Sequence, residues 1–410
     1  MNKHFNNILV CFFVVIVICI SNINVTNASV NRRMLNLIHQ QPSTFEQFKL
    51  WHYALNKPYD INSQQGIKRY EIFESNVNMI KQHNTKDSSY KLGLGPFTDM
   101  TTQEINSMFI KKEILNNPNF NNEFKNIKSK IFDFNEDDLQ EIVSNYNNNN
   151  NSEQNDIILE EDINNNDNNN SKIKRFLRSN ESYTTVDWSI LYKNAKDQDP
   201  IGLGCGSCWA FAAVGVVEGM ANLANEKYLL SEQQLLDCDY MDAACDGGFL
   251  NFAMDYIIKN GLISQNSYPY SSQKNAFCRY NVGRAKPVIF IKDLNYCDLN
   301  IGSPCKDNEP IYYLMNGPYA SYIEANETIH HYSDGHIEFV ADNCKIINHA
   351  VIVVQLIDGY IFKIRNSWGK YWGQDGYGYI KNTNVPYSLK ACGLLEYAYQ
   401  PIGIYSLKNE

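Results

Sequence analysis

The placement of cysteines is the feature that most constrains this chain. Two of its eleven cysteines, Cys11 and Cys19, lie in an N-terminal apolar run, and the other nine all follow residue 200. In an oxidising compartment, eight of nine would pair and one would remain a free thiol. The sequence therefore predicts one disulfide-linked module with a single unpaired cysteine, as a cysteine nucleophile requires.

The N-terminus carries a targeting pattern. Lys3 precedes thirteen apolar residues, Ile8 to Ile20, and small residues follow around Ala28. This pattern is typical of a cleaved secretory signal, whereas a bilayer span needs about 20 residues. We predict a signal peptide over 1–28 and no stable membrane insertion after cleavage; the alternative is an uncleaved anchor. The net charge of −9, without a long basic patch, argues against nucleic acid as a partner.

The region before residue 182 divides into three parts. Residues 43–84 show apolar residues at helical spacing, and Ser43 to Glu46 predicts a helix cap. Residues 113–171 are rich in asparagine and acids, which predicts disorder. A basic cluster at 172–178 follows, and its two interpretations are a solvated charge patch or an exposed processing site.

From residue 182 the composition is globular again. Three helices are predicted. The first covers 208–225, the second begins after Ser231 as its N-cap, and the third covers 249–260 and ends before Gly261. Short apolar runs then predict strands at 287–291, 318–323, 346–357, 360–365 and 377–381. A helix-rich part followed by a strand-rich part indicates an α+β fold.

Cys208 opens the first of these helices, within the sequence Cys-Gly-Ser-Cys-Trp at 205–209. A helix N-terminus favours the thiolate, which is the nucleophilic form. A thiol protease also needs a base, a group that orients the base, and an oxyanion hole. His349 and Asn366 follow Cys208 by 141 and 158 residues. Taken singly, these residues could be a structural cysteine, a core histidine and a turn asparagine; together they favour catalysis.

This pattern resembles the papain-like cysteine proteases, whose C-G-[SA]-C-[WY] motif precedes a distant histidine and asparagine. The pro-region resembles the inhibitory propeptide of the cathepsin L-like subfamily. It has a G-x-N-x-F-x-D element at 93–99 with Gly95 in place of Asn, and Trp51 and His52 add to the resemblance. It also carries the ERFNIN signature, with Gln65 in place of Glu, at Gln65, Arg69, Ile72, Phe73, Asn76, Ile80 and Asn84.

The resemblance implies a papain-like two-domain fold. A helical left domain and a β-barrel-like right domain would flank the active-site cleft, and a helical propeptide would precede them. The expected boundaries are a signal peptide at 1–28, an inhibitory propeptide at 29–112, an Asn-rich acidic linker with the processing site at 113–181, and the mature peptidase at 182–410.

The implied function is a secreted or lysosomal/vacuolar cysteine endopeptidase made as a zymogen. Its partners would be polypeptide substrates, its own propeptide and protein inhibitors of cystatin type, and it would be a monomer without metal or cofactor. One alternative is a catalytically weak binding or regulatory protein. Another is an exopeptidase: His330-His331 is compared with the occluding-loop histidines of cathepsin B-like enzymes, but the cysteine-rich context of that loop is missing.

The resemblance also implies a role for each site residue. Cys208 would attack the scissile carbonyl, and His349 would hold the thiolate as an ion pair and then protonate the leaving amine. Asn366 would orient the imidazole. Gln198 would supply the oxyanion hole, but it lies ten residues before Cys208 where the family has six, so four extra residues must bulge outward.

Substrate-binding residues and disulfides follow from the same comparison. Trp368 and Trp372 would shield the Asn–His contact from water, and Asn326 heads a glycosylation sequon. The expected substrate-binding residues are Gly247, Gly248, Phe249, Leu250, Tyr322, Ala350, Trp368 and Tyr397, some of which could simply be core. The expected disulfides are Cys205–Cys245, Cys238–Cys278, Cys344–Cys392 and Cys297–Cys305.

Overall fold

The computed structural model describes residues 34–111, 184–280, 285–298, 302–305, 309–339, 347–382 and 393–406. The predicted signal peptide, the Asn-rich linker and the basic cluster lie outside the described residues. The helices are α1 Thr44–Ala54, α2 Gln64–Asn84, α3 Thr102–Asn106, α4 Cys208–Leu223, α5 Glu232–Cys238, α6 Leu250–Asn260, α7 Glu309–Asn316 and α8 Glu327–His330. The strands are β1 Tyr90–Leu92, β2 Leu262–Ile263, β3 Pro287–Phe290, β4 Asp293–Asp298, β5 Tyr319–Ile323, β6 Tyr332–Gly335, β7 Ile337–Phe339, β8 His349–Ile357, β9 Ile361–Arg365, β10 Tyr377–Asn382, β11 Tyr397–Ile402 and β12 Tyr405–Ser406.

Helices α1 and α2 pack together around an aromatic core. The ring centroids of Phe48 and Phe73 are 5.3 Å apart, and those of Trp51 and Phe73 are 5.1 Å apart. Helix α1 begins directly after Ser43, as predicted, but the Ser43 side chain makes no capping hydrogen bond. Glu46 pairs instead with Lys49 one turn along the same helix. The two helices are therefore held by buried rings rather than by that cap.

Polar residues of α2 hold the segment that leads to the peptidase part. Arg69 Nη1 donates to Glu104 Oε2 at 2.9 Å and to the Asp99 carbonyl oxygen at 3.0 Å. Asn76 Nδ2 donates to the backbone oxygens of Thr98 and Met100 at 3.0 and 2.9 Å. The signature positions thus act as clamps that fix the path of residues 98–104, and so of the residues that follow.

Helix α4 lies at the centre of the peptidase part. It packs against α5 and α6 on one side and against β8, β11 and β5 on the other. Its residues from Cys208 to Gly219 are all buried, which agrees with the apolar run in the sequence. Helix α5 begins after Ser231, whose side chain accepts from the Gln234 N–H, and α6 ends at Gly261 with φ +67°. Within the described residues, no helix has the length and apolar character needed to cross a membrane.

The largest sheet has seven strands in the order β4-β11-β5-β8-β9-β10-β7, and two smaller sheets have the orders β1-β6 and β12-β3-β2. Its pairs are antiparallel except for β10 with β7. The five runs predicted from the sequence are present as β3, β5, β8, β9 and β10, whereas β4, β7 and β11 of this sheet were not predicted. Strand β8 is central and begins at His349, so the sheet presents that residue at the end facing α4. The architecture is α+β, as predicted, and helices α1 and α2 precede it in the N-terminal region.

A buried ion triad anchors the chain just before Gln198. Lys196 Nζ lies 2.7 Å from Glu218 Oε1 and 2.6 Å from Glu232 Oε1, and it also donates to the Leu230 carbonyl oxygen. Burial opposes the charged forms, but the two carboxylates keep the pKa of Lys196 raised. One cation thus holds α4 and α5 to the strand-like segment that carries Gln198.

Replacing Lys196 by methionine is expected to lower the free energy of unfolding by about 3–5 kcal/mol, because two buried carboxylates would lose their cation. Urea denaturation of the purified proform measures this change. The matched control is Lys259→Met, which removes an exposed i,i+4 pair with Asp255 and should cost less than about 0.5 kcal/mol. Equal losses in the two variants would contradict the structural role of the triad.

Candidate active site

Cys208 is the first residue of α4 and the one free cysteine among the described residues. Its neighbour Cys205 is bonded to Cys245, which fixes the turn before the helix. The side chain of Cys208 is fully buried, and this burial raises the pKa of the thiol to about 11. The N–H groups of Ala350, Trp209 and Cys208 itself act in the opposite direction. In this covered state, burial outweighs the helix N-terminus, so the predicted thiolate is not favoured here.

His349 and Asn366 come together at the ends of two neighbouring strands. His349 begins β8, and Asn366 follows the last residue of β9. His349 Nε2 lies 2.8 Å from Asn366 Oδ1, so Nε2–H donates to the amide oxygen when that nitrogen carries the proton. Burial lowers the pKa of His349 to about 4, although the Asn366 bond raises it, and the imidazole is neutral. Asn366 thus orients the ring through its side-chain carbonyl.

Two tryptophans cover the His349–Asn366 pair. The Trp368 ring stacks on His349 with centroids 4.6 Å apart, and Trp372 packs edge-to-face on Trp368 at 5.3 Å. Trp372 Nε1 donates to the Ile329 carbonyl oxygen at 2.8 Å, which locks the outer ring. Water is therefore excluded from the pair, and the hydrogen bond gains strength in a low-dielectric setting.

Gln198 reaches the cleft because the residues after it bulge outward. Gly202 and Gly204 adopt φ values of +73° and +76°, and the Asp199 carboxylate accepts from the N–H groups of Leu203 and Gly204 at 2.7 and 3.1 Å. The apolar side chains of the bulge point to solvent, Ile201 being 53% exposed. The long loop is thus a closed, self-capped turn that leaves Gln198 fully buried.

The Gln198 amide is held at both ends. Its Nε2 donates to the Met108 carbonyl oxygen at 2.9 Å and to the Cys205 carbonyl oxygen at 3.2 Å. Its Oε1 accepts from Ser367 Oγ at 2.6 Å, which fixes the orientation of the amide. Because Met108 belongs to the pro-region, the predicted oxyanion donor holds a carbonyl oxygen of the pro-region in this structure.

Residues 107–111 run through the cleft. The Ile110 N–H donates to the Asn348 carbonyl oxygen, and the Lys111 N–H donates to the Asp246 carbonyl oxygen, each at 3.1 Å. The Lys111 ammonium also pairs with the Asp246 carboxylate. At the other end of the segment, Phe109 packs against the rings of the catalytic region. This segment, named here the cleft segment, buries Cys208 and His349 together.

The expected substrate-binding residues fall into two groups. Gly247, at φ +125°, passes so close to Ile110 that a Cβ there would lie 2.8 Å from Ile110 Cγ2, and a Cβ at Gly248 would lie 2.6 Å from the Trp209 ring. Close backbone approach at these positions needs glycine. Of the other six, Trp368 stacks on His349, and Phe249, Leu250, Tyr322, Ala350 and Tyr397 are all buried.

The two tyrosines of the expected pocket touch each other and α6. The rings of Tyr322 and Tyr397 pack edge-to-face with centroids 5.4 Å apart. Tyr322 Oη accepts from the Leu250 N–H at 2.5 Å, and Tyr322 pairs with Ala350 across β5 and β8. The hydroxyl therefore caps the start of α6 beside the glycine pair, and the surrounding wall is apolar and aromatic.

Three of the four expected disulfides lie within the described residues. The structure joins Cys205 to Cys245, Cys238 to Cys278 and Cys297 to Cys305. The expected partners Cys344 and Cys392 lie outside the described residues. No group of three or more His, Cys, Asp or Glu side chains in the described ranges is arranged to hold a metal ion.

Sequence reasoning missed several residues that serve the site. Tyr270 Oη donates to the Gln198 carbonyl oxygen at 2.6 Å and lies 2.6 Å from Ser207 Oγ, so it ties the bulge to the start of α4. Ser367 orients the Gln198 amide, and its position beside Asn366 was the available signal. His330 lies next to Trp368; from the sequence it was considered only in the comparison with occluding-loop histidines and was not placed beside that ring.

The site combines a cysteine at a helix start, a histidine held by an asparagine, and an amide that donates to a carbonyl oxygen. Together these three features define the class of thiol proteases. The model of the papain family cysteine protease matches residues 183–402, and that of the cathepsin propeptide inhibitor domain (I29) matches residues 48–105. The chain belongs to the papain family of cysteine proteases, and it carries a cathepsin-type inhibitory propeptide.

Individual relatives agree with this assignment. The viral cathepsin of Choristoneura fumiferana defective polyhedrosis virus is 31% identical over 361 residues, which cover 86% of this chain and 89% of that protein. Cathepsin L 2 of Paramecium tetraurelia is 27% identical over 358 residues, which cover 83% of this chain and 88% of that protein. A recombinant stem bromelain precursor of known structure shares the fold, with a TM-score of 0.61 at 24% identity over 88% of this chain and 98% of that one. The protein is thus a cathepsin L-like cysteine protease made as a zymogen.

Proposed function

We propose that this protease cleaves peptide bonds through Cys208 as nucleophile and His349 as the base that becomes the general acid. Asn366 orients the imidazole, and Trp368 and Trp372 keep water from the pair. The observation that carries the proposal is the 2.9 Å hydrogen bond from Gln198 Nε2 to the Met108 carbonyl oxygen. It supports Gln198 and the Cys208 N–H as the donors that hold the substrate oxyanion.

Release of the cleft segment would activate the thiol. Burial raises the pKa of Cys208 and lowers that of His349, so both groups are neutral while they are covered. Removal of the segment returns solvent to the cleft and reduces this desolvation, whereas the N–H donors at the start of α4 remain. The Cys208–His349 pair can then take the thiolate–imidazolium form that the chemistry needs.

Endopeptidase activity is supported by the path of the cleft segment. It extends from the ring cluster at Trp368 to the Asp246 carbonyl, which supports a cleft that is long enough for an internal stretch of polypeptide. An exopeptidase would block one side of the cleft. The walls formed by Leu250, Tyr322 and Tyr397 favour an apolar side chain two residues before the cleaved bond. Cleavage of a peptide blocked at both ends tests the exopeptidase alternative.

The same proposal covers maturation and destination. Removal of a signal peptide at 1–28 would route the chain into the secretory pathway, to a lysosome or vacuole or to the exterior. The propeptide at 29–112 and the linker at 113–181 would be removed by cutting within 172–182, which leaves the mature peptidase at 182–410. The exposed Asn326, which caps α8, would be a glycosylation site. The mature enzyme would act as a monomer open to inhibitors of cystatin type.

Titration with a thiol-reactive epoxide tests the proposal directly. The processed enzyme should take up one equivalent at Cys208, identified by peptide mass mapping, and lose all peptidase activity. The proform is the matched control, since its Cys208 is covered and should label far more slowly. A processed protein that neither labels nor cleaves peptides would favour the rival function, a papain-like binding protein.

Acid is expected to destabilise the contact between propeptide and peptidase. Burial lowers the pKa of His330 to about 3 and those of His331 and His349 to about 4, from 6.5. Because the folded proform binds fewer protons than the open state, these three groups lower its stability as the pH falls from 6.5 towards 4. Within the pro-region, burial would raise the pKa of Glu104, but hydrogen bonds from Arg69 and Thr101 lower it. The stability that this carboxylate gives to the fold of the pro-region is therefore lost as the pH falls below 4.5.

Thermal denaturation of a Cys208→Ala proform, which cannot process itself, measures this effect. Its midpoint should fall by at least roughly 5 °C between pH 7 and pH 4.5. The processed Cys208→Ala domain is the control, and its midpoint should fall less because its cleft histidines are solvated. Parallel curves for the two proteins would contradict the role of the covered histidines.

A further inference from the structure

Tyr270 joins the backbone of Gln198 to the residue that precedes Cys208. Its hydroxyl oxygen lies 2.6 Å from the Gln198 carbonyl oxygen and 2.6 Å from Ser207 Oγ. A phenol has one proton and a carbonyl oxygen can only accept, so Tyr270 donates to Gln198 and accepts from the Ser207 hydroxyl. The two bonds form a directed chain from the start of α4 to the backbone of residue 198.

The Ser207 hydroxyl bonds to Tyr270 and not to its own helix. Ser207 is the N-cap residue of α4, but its side chain makes no capping hydrogen bond. The N-cap residues Ser63 and Ser231, by contrast, each accept from an N–H group of the helix that follows them. The Ser207 side chain therefore contributes to the link with Tyr270 instead of to helix capping.

The Tyr270 side chain is held in place by α4 and keeps its proton. Its ring packs edge-to-face on Phe211, in the first turn of α4, with ring centroids 4.8 Å apart. Burial raises the pKa of the Tyr270 phenol, and the nearby carboxylates of Asp199 and Glu232 raise it further, although the Ser207 bond acts in the opposite direction. The hydroxyl is therefore a donor at every pH at which a protease works.

Gln198 is also held by the segment that follows β9. Its N–H donates to the Ser367 carbonyl oxygen at 2.8 Å, and Ser367 Oγ donates to its side-chain oxygen at 2.6 Å. Ser367 follows Asn366, so these bonds tie Gln198 to the residue that orients the imidazole. Tyr270 ties the same glutamine to the helix of Cys208. Such a link bears on rate, because misplacing a reacting group by about 1 Å can cost on the order of 10²-fold.

We infer that Tyr270 is a positioning residue for the peptidase reaction, which fixes the oxyanion donor Gln198 relative to Cys208 through its hydrogen bonds to Gln198 and Ser207. This inference rests on the proposed function and adds a residue that acts through Gln198. The bulge gives the link its importance: Gln198 lies ten residues before Cys208, and a longer connection restrains the distance between its ends less.

The test compares processed enzymes on a peptide blocked at both ends, with kcat expressed per epoxide-titrated site. Tyr270→Phe keeps the ring but loses both hydrogen bonds, and it should lower kcat by about 5- to 20-fold while KM stays within about 2-fold. Ser207→Ala removes one end of the link and should lower kcat by about 2- to 5-fold. In a Gln198→Ala background, Tyr270→Phe should add less than about a 2-fold loss, because the group it positions is already absent.

The matched control is Tyr319→Phe. Tyr319 is fully buried in the sheet, and its hydroxyl also donates to a backbone oxygen, that of Leu394 at 2.9 Å. This variant should lose thermal stability and keep its kcat. Equal kcat losses in the two tyrosine variants would overturn the inference, as would an unchanged kcat in Tyr270→Phe or its full effect in the Gln198→Ala background.

Two further outcomes are decisive. If Tyr270→Phe does not fold, Ser207→Ala carries the test, and a wild-type kcat in that variant overturns the inference. A processed wild-type protein that neither labels with the epoxide nor cleaves the peptide would instead overturn the proposed function.

Discussion

Replacing Cys208 by alanine is expected to lower kcat by about 10⁶-fold, as loss of a nucleophile does in comparable acyl-transfer enzymes. The reason is chemical: His349 and Gln198 remain in place, but no thiolate can form the covalent intermediate. Steady-state kinetics on a blocked peptide, after processing by an added protease, measures the loss. The purified proform should also fail to process itself.

The control for this change is the affinity for the propeptide. Cys208 makes no hydrogen bond with the cleft segment in the structure, whereas Gln198, Asn348 and Asp246 do. Processed Cys208→Ala should therefore bind the isolated propeptide about as tightly as the wild-type enzyme does. Retention of more than about one thousandth of the activity would mean that another residue is the nucleophile.

Replacing Gln198 by alanine should lower kcat by about 10²- to 10³-fold with little change in KM. Gln198 Nε2 donates to a carbonyl oxygen in the cleft, and this bond strengthens as that oxygen becomes negative. Loss of the donor therefore affects the transition state more than substrate binding. Stopped-flow acylation of the titrated enzyme measures the effect on the chemical step.

Gln233→Ala is the matched control for Gln198→Ala. Gln233 is also a fully buried glutamine, but its amide donates to the Gln273 carbonyl oxygen, within the helical half and away from the cleft. Its loss should reduce stability and leave kcat per titrated site unchanged. Similar kinetic losses in both variants would mean that Gln198 acts through folding and not through the oxyanion.

The contact between His349 and Asn366 could be predicted, because both residues stand in short motifs at a characteristic distance from Cys208; their catalytic roles stay predictions. The outward bulge that brings Gln198 to the cleft was also predicted, but its closure was not: Asp199 caps the bulge and two glycines take positive φ. Those features depend on the folded loop. Ser43 precedes α1 as predicted but makes no capping hydrogen bond, and Glu46 pairs with Lys49 one turn away.

The charge state of Cys208 and the position of His330 also could not be predicted from the sequence. The helix N-terminus predicts a thiolate, but Phe109 and Met108 lie in the cleft, and burial raises the pKa of the Cys208 thiol in this structure. His330 enters the site only because α8 and Trp372 bring it beside Trp368. Contacts between residues distant in sequence decide both outcomes.

The hydrogen bond from Gln198 to the Met108 carbonyl oxygen bears on how quickly the zymogen can become active. Before activation, the Gln198 side-chain amide already has its orientation and its hydrogen-bond partners, because Ser367 Oγ donates to its oxygen and its nitrogen donates to Met108. On release, the donor exchanges one carbonyl partner for another, and no element of the peptidase has to be rebuilt. The propeptide behaves like a tethered competitive ligand, so the onset of activity should follow the rate at which the tether is cut and the segment departs.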